Sequence, residues 1–263
     1  MAWRLCTHVG RTETRRSRGI VRPVGDMRRK LTIILGSDGM NSEQTINIKS
    51  WFQGPTDSGQ GGWTAHRFVR AISEPVTVAV KRPIPLEVDL TIAAAEHGWH
   101  LIDPREPDQP FMVATTWTPD YAKTDPVSLA DAADARTRFP LHDDHPVPVC
   151  FSCGANADSM QVHSGPLPDG RWATDWTVPE WAVDADGNVD EGALWAAIDC
   201  AQGWYVGNAG GRRHAVTVQL AVEVITPIEA QTSYSLVTWN GTYPETWDGR
   251  KRGAGGAVFA SDG

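Results

Sequence analysis

Residues 76–92 read VTVAVKRPIPLEVDLTI, and their pattern returns in residues 216–237, VTVQLAVEVITPIEAQTSYSLV. Each stretch follows a helical segment, opens with Val-Thr-Val, reaches a Pro-[Leu/Ile]-Glu step at Pro85 or Pro227, and continues into another strand. Val and Thr are common in any strand, so a chance match is an alternative. The shared order of elements favours duplication. Two units, each with one helix and an antiparallel sheet, predict an α+β fold whose sheets form one continuous surface.

The elements around these stretches follow from hydrophobic periodicity and turn signals. Helices are predicted at 63–72 and at 191–206, the second with Asp190 as its N-cap. Strands are predicted at 46–52, 76–80, 86–93, 99–102, 112–117, 160–163, 171–176, 216–225, 233–239 and 254–259.

Four segments follow from this pattern. Residues 1–43 are a basic extension that we expect to be disordered, with a targeting or nucleic-acid-binding arm as the alternative. Residues 44–118 form the first unit, and residues 119–148, rich in Asp, Ala, Pro and His, form a linker. Residues 149–263 form the second unit, which we expect to lack its last strand.

Composition excludes several classes of protein. The chain has 263 residues, of which 41% are hydrophobic, and no apolar run is long enough to span a bilayer. Residues 1–30 hold nine basic and two acidic residues, so the rest of the chain has a net charge of −15. Such a surface repels nucleic acid. Four cysteines and no apolar leader predict a cytoplasmic protein.

Several short motifs resemble a known family. They are Phe52-Gln-Gly-Pro55, Gly59-Gln-Gly-Gly62, Pro83-Ile-Pro-Leu86, CFSCG (150–154), PLPDGR (166–171) and DGRK (248–251). Residues 44–263 resemble the double-hotdog acyl-CoA thioesterases, and are similar to acyl-CoA thioesterase II in a divergent bacterial branch. The resemblance implies a tandem hotdog fold, with each helix held in a curved antiparallel sheet. It also implies an acyl-CoA or related thioester bound between the units, and a monomer of two hotdog units or a homodimer.

Asp199 is the first candidate for catalysis, because a carboxylate inside an otherwise apolar helix is costly to bury without a purpose. It matches the family's catalytic aspartate, which would activate water as a general base. The alternative is an Asp that bonds to nearby backbone or lies exposed. Thr217 matches the threonine that holds the attacking water, with an ordinary strand residue as the alternative. The family's third polar residue, a glutamine on the last strand, has no counterpart; Gln202, at i+3 from Asp199, is the candidate substitute.

Other residues are candidates for binding the substrate. The N–H groups of Gly61 and Gly62 at a helix start could form an oxyanion site, or the loop could be a simple tight turn. His66, one turn later, could line the same cavity or lie on the surface or in the core. Arg250 and Lys251, like Arg212 and Arg213, could hold the phosphates of coenzyme A or be solvated loop charges.

Cys150-Phe-Ser-Cys153 has zinc or redox spacing, and His142 to His145 lie upstream. No second pair completes four ligands, so the sequence favours reduced structural cysteines and predicts no metal and no cofactor. The sequence therefore predicts a protein that binds acyl thioesters and hydrolyses them. The alternative is a hotdog protein that binds an acyl-CoA or lipid-like ligand without catalysis.

Overall fold

The computed structural model describes residues 44–118, 124–140, 145–209, 215–241 and 251–261. The basic extension, the 142–144 cluster and the arginines at 212, 213 and 250 lie outside these residues. Three α-helices are described, namely α1 (Gly61–Val69), α2 (Leu129–Arg136) and α3 (Gly192–Ala209). The strands are β1 (Gln44–Asn47), β2 (Val76–Val80), β3 (Asp89–Ala95), β4 (Gly98–Ile102), β5 (Met112–Thr116), β6 (Gly165–Pro166), β7 (Trp172–Thr177), β8 (Gln219–Leu220), β9 (Ser233–Asn240) and β10 (Ala254–Phe259).

The strands form two antiparallel sheets. The larger sheet has the order β1-β3-β4-β5-β2-β8, and the smaller one has the order β10-β9-β7-β6. Although β8 follows α3 in the chain, it pairs with β2 of the first sheet, with Val78 opposite Leu220. The structure is therefore α+β with antiparallel sheets, as the sequence predicts.

The smaller sheet carries a helix on each face. Along β9 and β10, Leu236 and Val258 join the main core with α3, whereas Val237 and Ala257 point the other way and pack with α2. Alternate residues of a strand face opposite sides of the sheet, so both faces of these strands must be covered. This explains why every residue of β10 is buried.

Helix α3 is apolar around most of its circumference because it lies between α1 and the smaller sheet. Asp190 caps its start: the Asp190 Oδ1 atom accepts from the Gly192 N–H at 2.9 Å. Helix α1 crosses α3 closely at Gly62, where an added Cβ would overlap the carbonyl oxygen of Trp195 and lie 2.8 Å from the Asp199 Cβ. A glycine is therefore needed at this crossing.

Three local differences from the sequence prediction affect the site. Within the strand predicted at 216–225, only Gln219–Leu220 is strand; residues 216–218 line a cavity and residues 221–225 are irregular. The strand predicted at 160–163 is irregular, and the short β6 follows it. The segment interpreted as a linker contains α2, which packs through Ala132 and Ala135.

None of the helices in the described part of the chain combines the length and apolar character needed to cross a bilayer.

Candidate functional site

A cavity of about 400 Å³ opens where the start of α1, the middle of α3 and residues 215–218 meet. Much of its wall is apolar, including side chains from Val80, Ile84, Val147, Trp204 and Val218. Polar and reactive groups from Gln60, Asp199, Thr217 and three cysteines interrupt this wall on one side. An apolar cavity with a few convergent polar groups is the usual form of a small-molecule site.

Asp199 is the central ionisable group of this wall. Its side chain is 7% exposed and receives hydrogen bonds from three donors. The Gln60 Nε2 atom donates to Oδ2 at 2.7 Å, the Gly62 N–H donates to Oδ2 at 2.9 Å, and the Thr217 hydroxyl donates to Oδ1. The carboxylate therefore joins α1, α3 and the segment before β8.

Two opposing effects set the protonation of Asp199. Burial raises its pKa to about 6, because the ionised carboxylate loses hydration. The hydrogen bonds from Thr217, Gly62 and Gln60 oppose this rise, since each of them favours the charged form. A carboxylate with a pKa near neutrality can accept a proton and release it again at physiological pH.

Thr217 contacts Asp199 although 17 residues separate them in the chain. The Val80 N–H donates to the Val218 carbonyl at 3.0 Å, and this bond fixes the segment beside β2. The structure thus brings together the two polar residues that the sequence predicts to act together.

Gln60 is the residue of this candidate site that sequence reasoning missed. Its Oε1 atom accepts from the Trp63 N–H at 2.7 Å and so caps α1, while its Nε2 atom reaches Asp199. One side chain therefore fixes the start of α1 and orients the carboxylate. The available signal was its place between Gly59 and Gly61, directly before the helix.

The structure separates Gln202 from the carboxylate's hydrogen bonds. The Gln202 Nε2 atom donates to the carbonyl of Ala254 on β10 at 3.1 Å, and the side chain lies against Gly256. Gln202 thus joins α3 to the smaller sheet, and Gln60 supplies the amide that contacts Asp199. The prediction that Gln202 is the third polar residue of the site does not match this arrangement.

The two predicted glycines have different surroundings. The N–H of Gly62 is donated to Asp199, so it is not available to a ligand. Gly61 lines the cavity, and within the part of the chain that the structure describes its N–H has no acceptor. Of the two, only Gly61 can offer its N–H to a bound oxygen.

His66 does not line the cavity. Its ring packs 5.9 Å from that of Trp195 on α3, and its Nδ1 atom lies 3.8 Å from the Asp190 Oδ1 atom. Burial lowers the pKa of His66 to about 4, with the attraction of Asp190 opposing this shift. His66 is therefore a neutral residue of the interface between α1 and α3, contrary to the prediction that it faces the ligand.

The cationic side chains at the cavity come from the loop after β2. Lys81 and Arg82 are among the lining residues, whereas the predicted Lys251 is not. Arg82 donates to the Glu106 Oε2 atom at 3.0 Å and stacks over the ring of Phe111. Exposed Lys81 makes no ion pair with any residue that the structure describes.

Three cysteines complete the polar side of the cavity. Cys150 and Cys153 come from the CFSCG turn, and Cys200 follows Asp199 on α3. Their sulfur atoms lie within 4.8 Å of one another, and none of these three cysteines is in a disulfide. The sequence indicated only the first two, because Cys200 lies 47 residues beyond Cys153.

Comparisons with known proteins give little further information. No model of a known protein family matches the chain, and no curated protein matches it. Among solved structures, the chain is similar to a protein from Novosphingobium aromaticivorans DSM 12444 that is provisionally described as a thioesterase. The similarity covers 82% of this chain and 92% of that one, with 14% sequence identity and a TM-score of 0.39.

Proposed function

We propose that this chain binds acyl thioesters in the cavity and hydrolyses them through water activated by Asp199. The observation that carries the proposal is the buried Asp199 carboxylate on the cavity wall, with a pKa near 6 and Thr217 hydrogen-bonded to it. These groups correspond to the base and the water-holding hydroxyl that the family resemblance implies.

Strand pairing supports a tandem hotdog as the fold of this proposal. In the first half, β1 precedes α1 and pairs with β3, the second strand after that helix. In the second half, β7 precedes α3 and pairs with β9, again the second strand after the helix. The same connection occurs twice, which supports two copies of one unit, with β8 of the second copy added to the sheet of the first. With both units in one chain, we expect a monomer to form the site.

A count of hydrogen-bond positions supports a water site on Asp199. A carboxylate offers about four lone-pair positions, two on each oxygen. Gln60 and Gly62 occupy those of Oδ2, and Thr217 occupies one on Oδ1. The remaining position on Oδ1 can accept a hydrogen bond from one O–H group of a water molecule. The Thr217 hydroxyl oxygen can accept a hydrogen bond from the other O–H group of the same water. In the reaction, the water oxygen bonds to the thioester carbon while Asp199 takes one proton from the water. The C–S bond then breaks, and the proton on Asp199 passes to the leaving thiolate, which restores the carboxylate.

The start of α1 can stabilise the oxyanion of this reaction. Gly61 is the first residue of α1, and helix N-termini favour negative charge. An added Cβ at Gly61 would lie 3.0 Å from the Asp199 Oδ2 atom. The Gly61 backbone thus lies beside the base, and its N–H can donate to a thioester oxygen bound next to Asp199.

The cavity suits an acyl chain attached to an anionic carrier. Apolar side chains such as Ile84 and Trp204 can bury the acyl chain. Lys81 at the same cavity can contact a phosphate of coenzyme A.

A second candidate function is binding without hydrolysis. Asp199 already receives three hydrogen bonds that join α1, α3 and the segment before β8. A carboxylate held in this way can also act only as a structural clamp, and the cavity would then hold its ligand unchanged.

Release of free thiol from a panel of acyl-CoAs of graded chain length separates the two candidates. We expect turnover by the wild type and by His66→Asn, whose altered side chain lies outside the cavity, and none by a folded Asp199→Asn variant. If the wild type binds acyl-CoA in calorimetry but releases no thiol, the binding function replaces the hydrolytic one.

A further inference from the structure

Cys150, Cys153 and Cys200 form a compact cluster on the cavity wall. The Cys150 and Cys200 Sγ atoms are 3.8 Å apart, and all three sulfurs lie within 4.8 Å of one another. Two come from one short turn and the third from α3, so the fold brings together cysteines that are distant in sequence. The hydrolysis proposed above uses none of them.

The separation of the Cys150 and Cys200 sulfurs matches the distance between two thiolate ligands of one metal ion. With Zn–S bonds of about 2.3 Å, two sulfurs of a tetrahedral zinc site lie roughly 3.8 Å apart. A disulfide needs sulfurs at about 2.05 Å and uses only two of the three cysteines. Three converging sulfurs are therefore better explained by a shared ion than by one covalent bond.

The turn that carries Cys150 and Cys153 is built around these sulfurs. The Gly154 N–H donates to the Cys150 carbonyl at 2.7 Å, and an added Cβ at Gly154 would overlap that carbonyl oxygen. The backbone N–H groups of Ser152 and Cys153 lie near the Cys150 sulfur and favour its thiolate form. Such N–H groups stabilise thiolates and orient them toward a metal.

A neighbouring side chain supports Cys200 in the same way. The Gln60 Nε2 atom approaches the Cys200 Sγ atom at 3.6 Å while it donates to Asp199. Gln60 can therefore reduce the repulsion between a thiolate at Cys200 and the adjacent carboxylate.

The fourth coordination position lies toward the cavity. Among the described residues, no fourth cysteine, histidine or carboxylate belongs to the cluster. His145 is near, but its Nε2 atom bonds to the Cys153 carbonyl and its Nδ1 atom accepts from the Val147 N–H. All three cysteines line the cavity, so a small ligand there can reach the ion.

We propose that Cys150, Cys153 and Cys200 bind one Zn²⁺ ion as thiolates, with the fourth position taken by water from the cavity. A three-ligand site with an exchangeable water is the arrangement that zinc keeps where it remains accessible to other molecules. The proposal concerns metal binding and does not depend on thioester hydrolysis.

Elemental analysis of the reduced protein, followed by titration with Zn²⁺ in the presence of a chromophoric chelator, tests this site. We expect one zinc ion per chain in the wild type, in Asp199→Asn and in Cys6→Ser, the matched control for loss of a thiol. Cys200→Ser should have a zinc affinity lower by more than about 100-fold. Loss of a residue that only hydrogen-bonds to a metal ligand lowers metal affinity by about 10- to 100-fold, and loss of the ligand itself should lower it further. Zinc bound equally well by Cys200→Ser, or lost in Cys6→Ser, would overturn the assignment.

X-ray absorption of the zinc-loaded wild type keeps the test decisive if the cysteine variants fail to fold. Three sulfur neighbours at about 2.3 Å and one lighter neighbour are expected. The proposal would be contradicted if the folded, reduced wild type bound no zinc or if the purified protein held another metal. Fewer than three sulfur neighbours around the zinc would also contradict it.

Discussion

The pH dependence of hydrolysis offers a quantitative test of the contact between Asp199 and Thr217. If Asp199 is the general base, kcat/KM of the zinc-free protein must follow the ionised fraction of a carboxyl group whose pKa is about 6. At pH 5 about one tenth of the carboxylate is ionised, so the rate should be about one tenth of its value at pH 8.

Replacing Thr217 with valine removes a hydroxyl that donates to the Asp199 Oδ1 atom. That hydrogen bond favours the ionised carboxylate, so its loss must raise the Asp199 pKa. A hydrogen bond to a charged group contributes about 1.5–3 kcal/mol, and one pKa unit corresponds to about 1.4 kcal/mol. The pH at which kcat/KM falls to half its maximum on the acid side, here called the acid limb, should therefore be higher by about 1–2 pH units in Thr217→Val.

The assay is thiol release from a saturating and a limiting concentration of one acyl-CoA between pH 5 and 9. Thr77→Val is the matched control, because Thr77 is a buried β2 threonine whose hydroxyl accepts from Gln219. Its acid limb should stay near pH 6. A wild-type acid limb near pH 4 would refute the reasoning. So would a Thr217→Val acid limb at the same pH as that of the wild type, even if the variant is slow.

Three further predictions concern the surroundings of the site. Gly62→Ala should lower the urea midpoint by the equivalent of about 1–3 kcal/mol because its Cβ has no room, whereas Gly203→Ala, which faces open space, should not lower it. Lys81→Glu should raise KM for acyl-CoA about fivefold but leave KM for the matching pantetheine thioester unchanged, and Lys251→Glu should change neither. Because the folded-state pKa of His66 is about 4, the unfolded chain binds more protons between about pH 6.5 and 4. The wild type should therefore lose up to about 3 kcal/mol of stability as the pH falls through this window, and His66→Leu should lack that part of the loss; equal acid sensitivity in both proteins would contradict the shift.

The sequence predicted the helices and strands whose hydrophobic pattern lies within a short run of consecutive residues. The bounds of β2 and β10 agree with the predicted strands, and the apolar helix around Asp199 is present. Asp199 could be singled out as a candidate from the sequence because an acidic residue interrupts an otherwise apolar helix. Its contact with Thr217 was expected through the family resemblance.

The features that were missed depend on contacts between distant segments. Gln60 reaches across 139 positions to Asp199, and Cys200 joins Cys150 across 50. Periodicity and spacing carry no information about such contacts. Helix α2 was missed because its buried side is made of Ala132 and Ala135, which give little apolar contrast in an acidic, proline-flanked segment. The predicted strand at 216–225 is reduced to Gln219–Leu220, and residues 216–218 line the cavity, a tertiary setting that strand propensity does not describe.

The central claim is that Asp199 activates water for thioester hydrolysis in a cavity that binds the substrate. A single-turnover measurement of thiol release at pH 8 tests it most directly, with wild type and Asp199→Asn each saturated with the same acyl-CoA. Binding of a non-hydrolysable thioether analogue serves to confirm that both proteins retain the site. The account predicts comparable analogue binding and a rate of thiol release at least about 100-fold lower in Asp199→Asn, the lower bound for loss of a general base. Release at the wild-type rate by a variant that binds the analogue would contradict it.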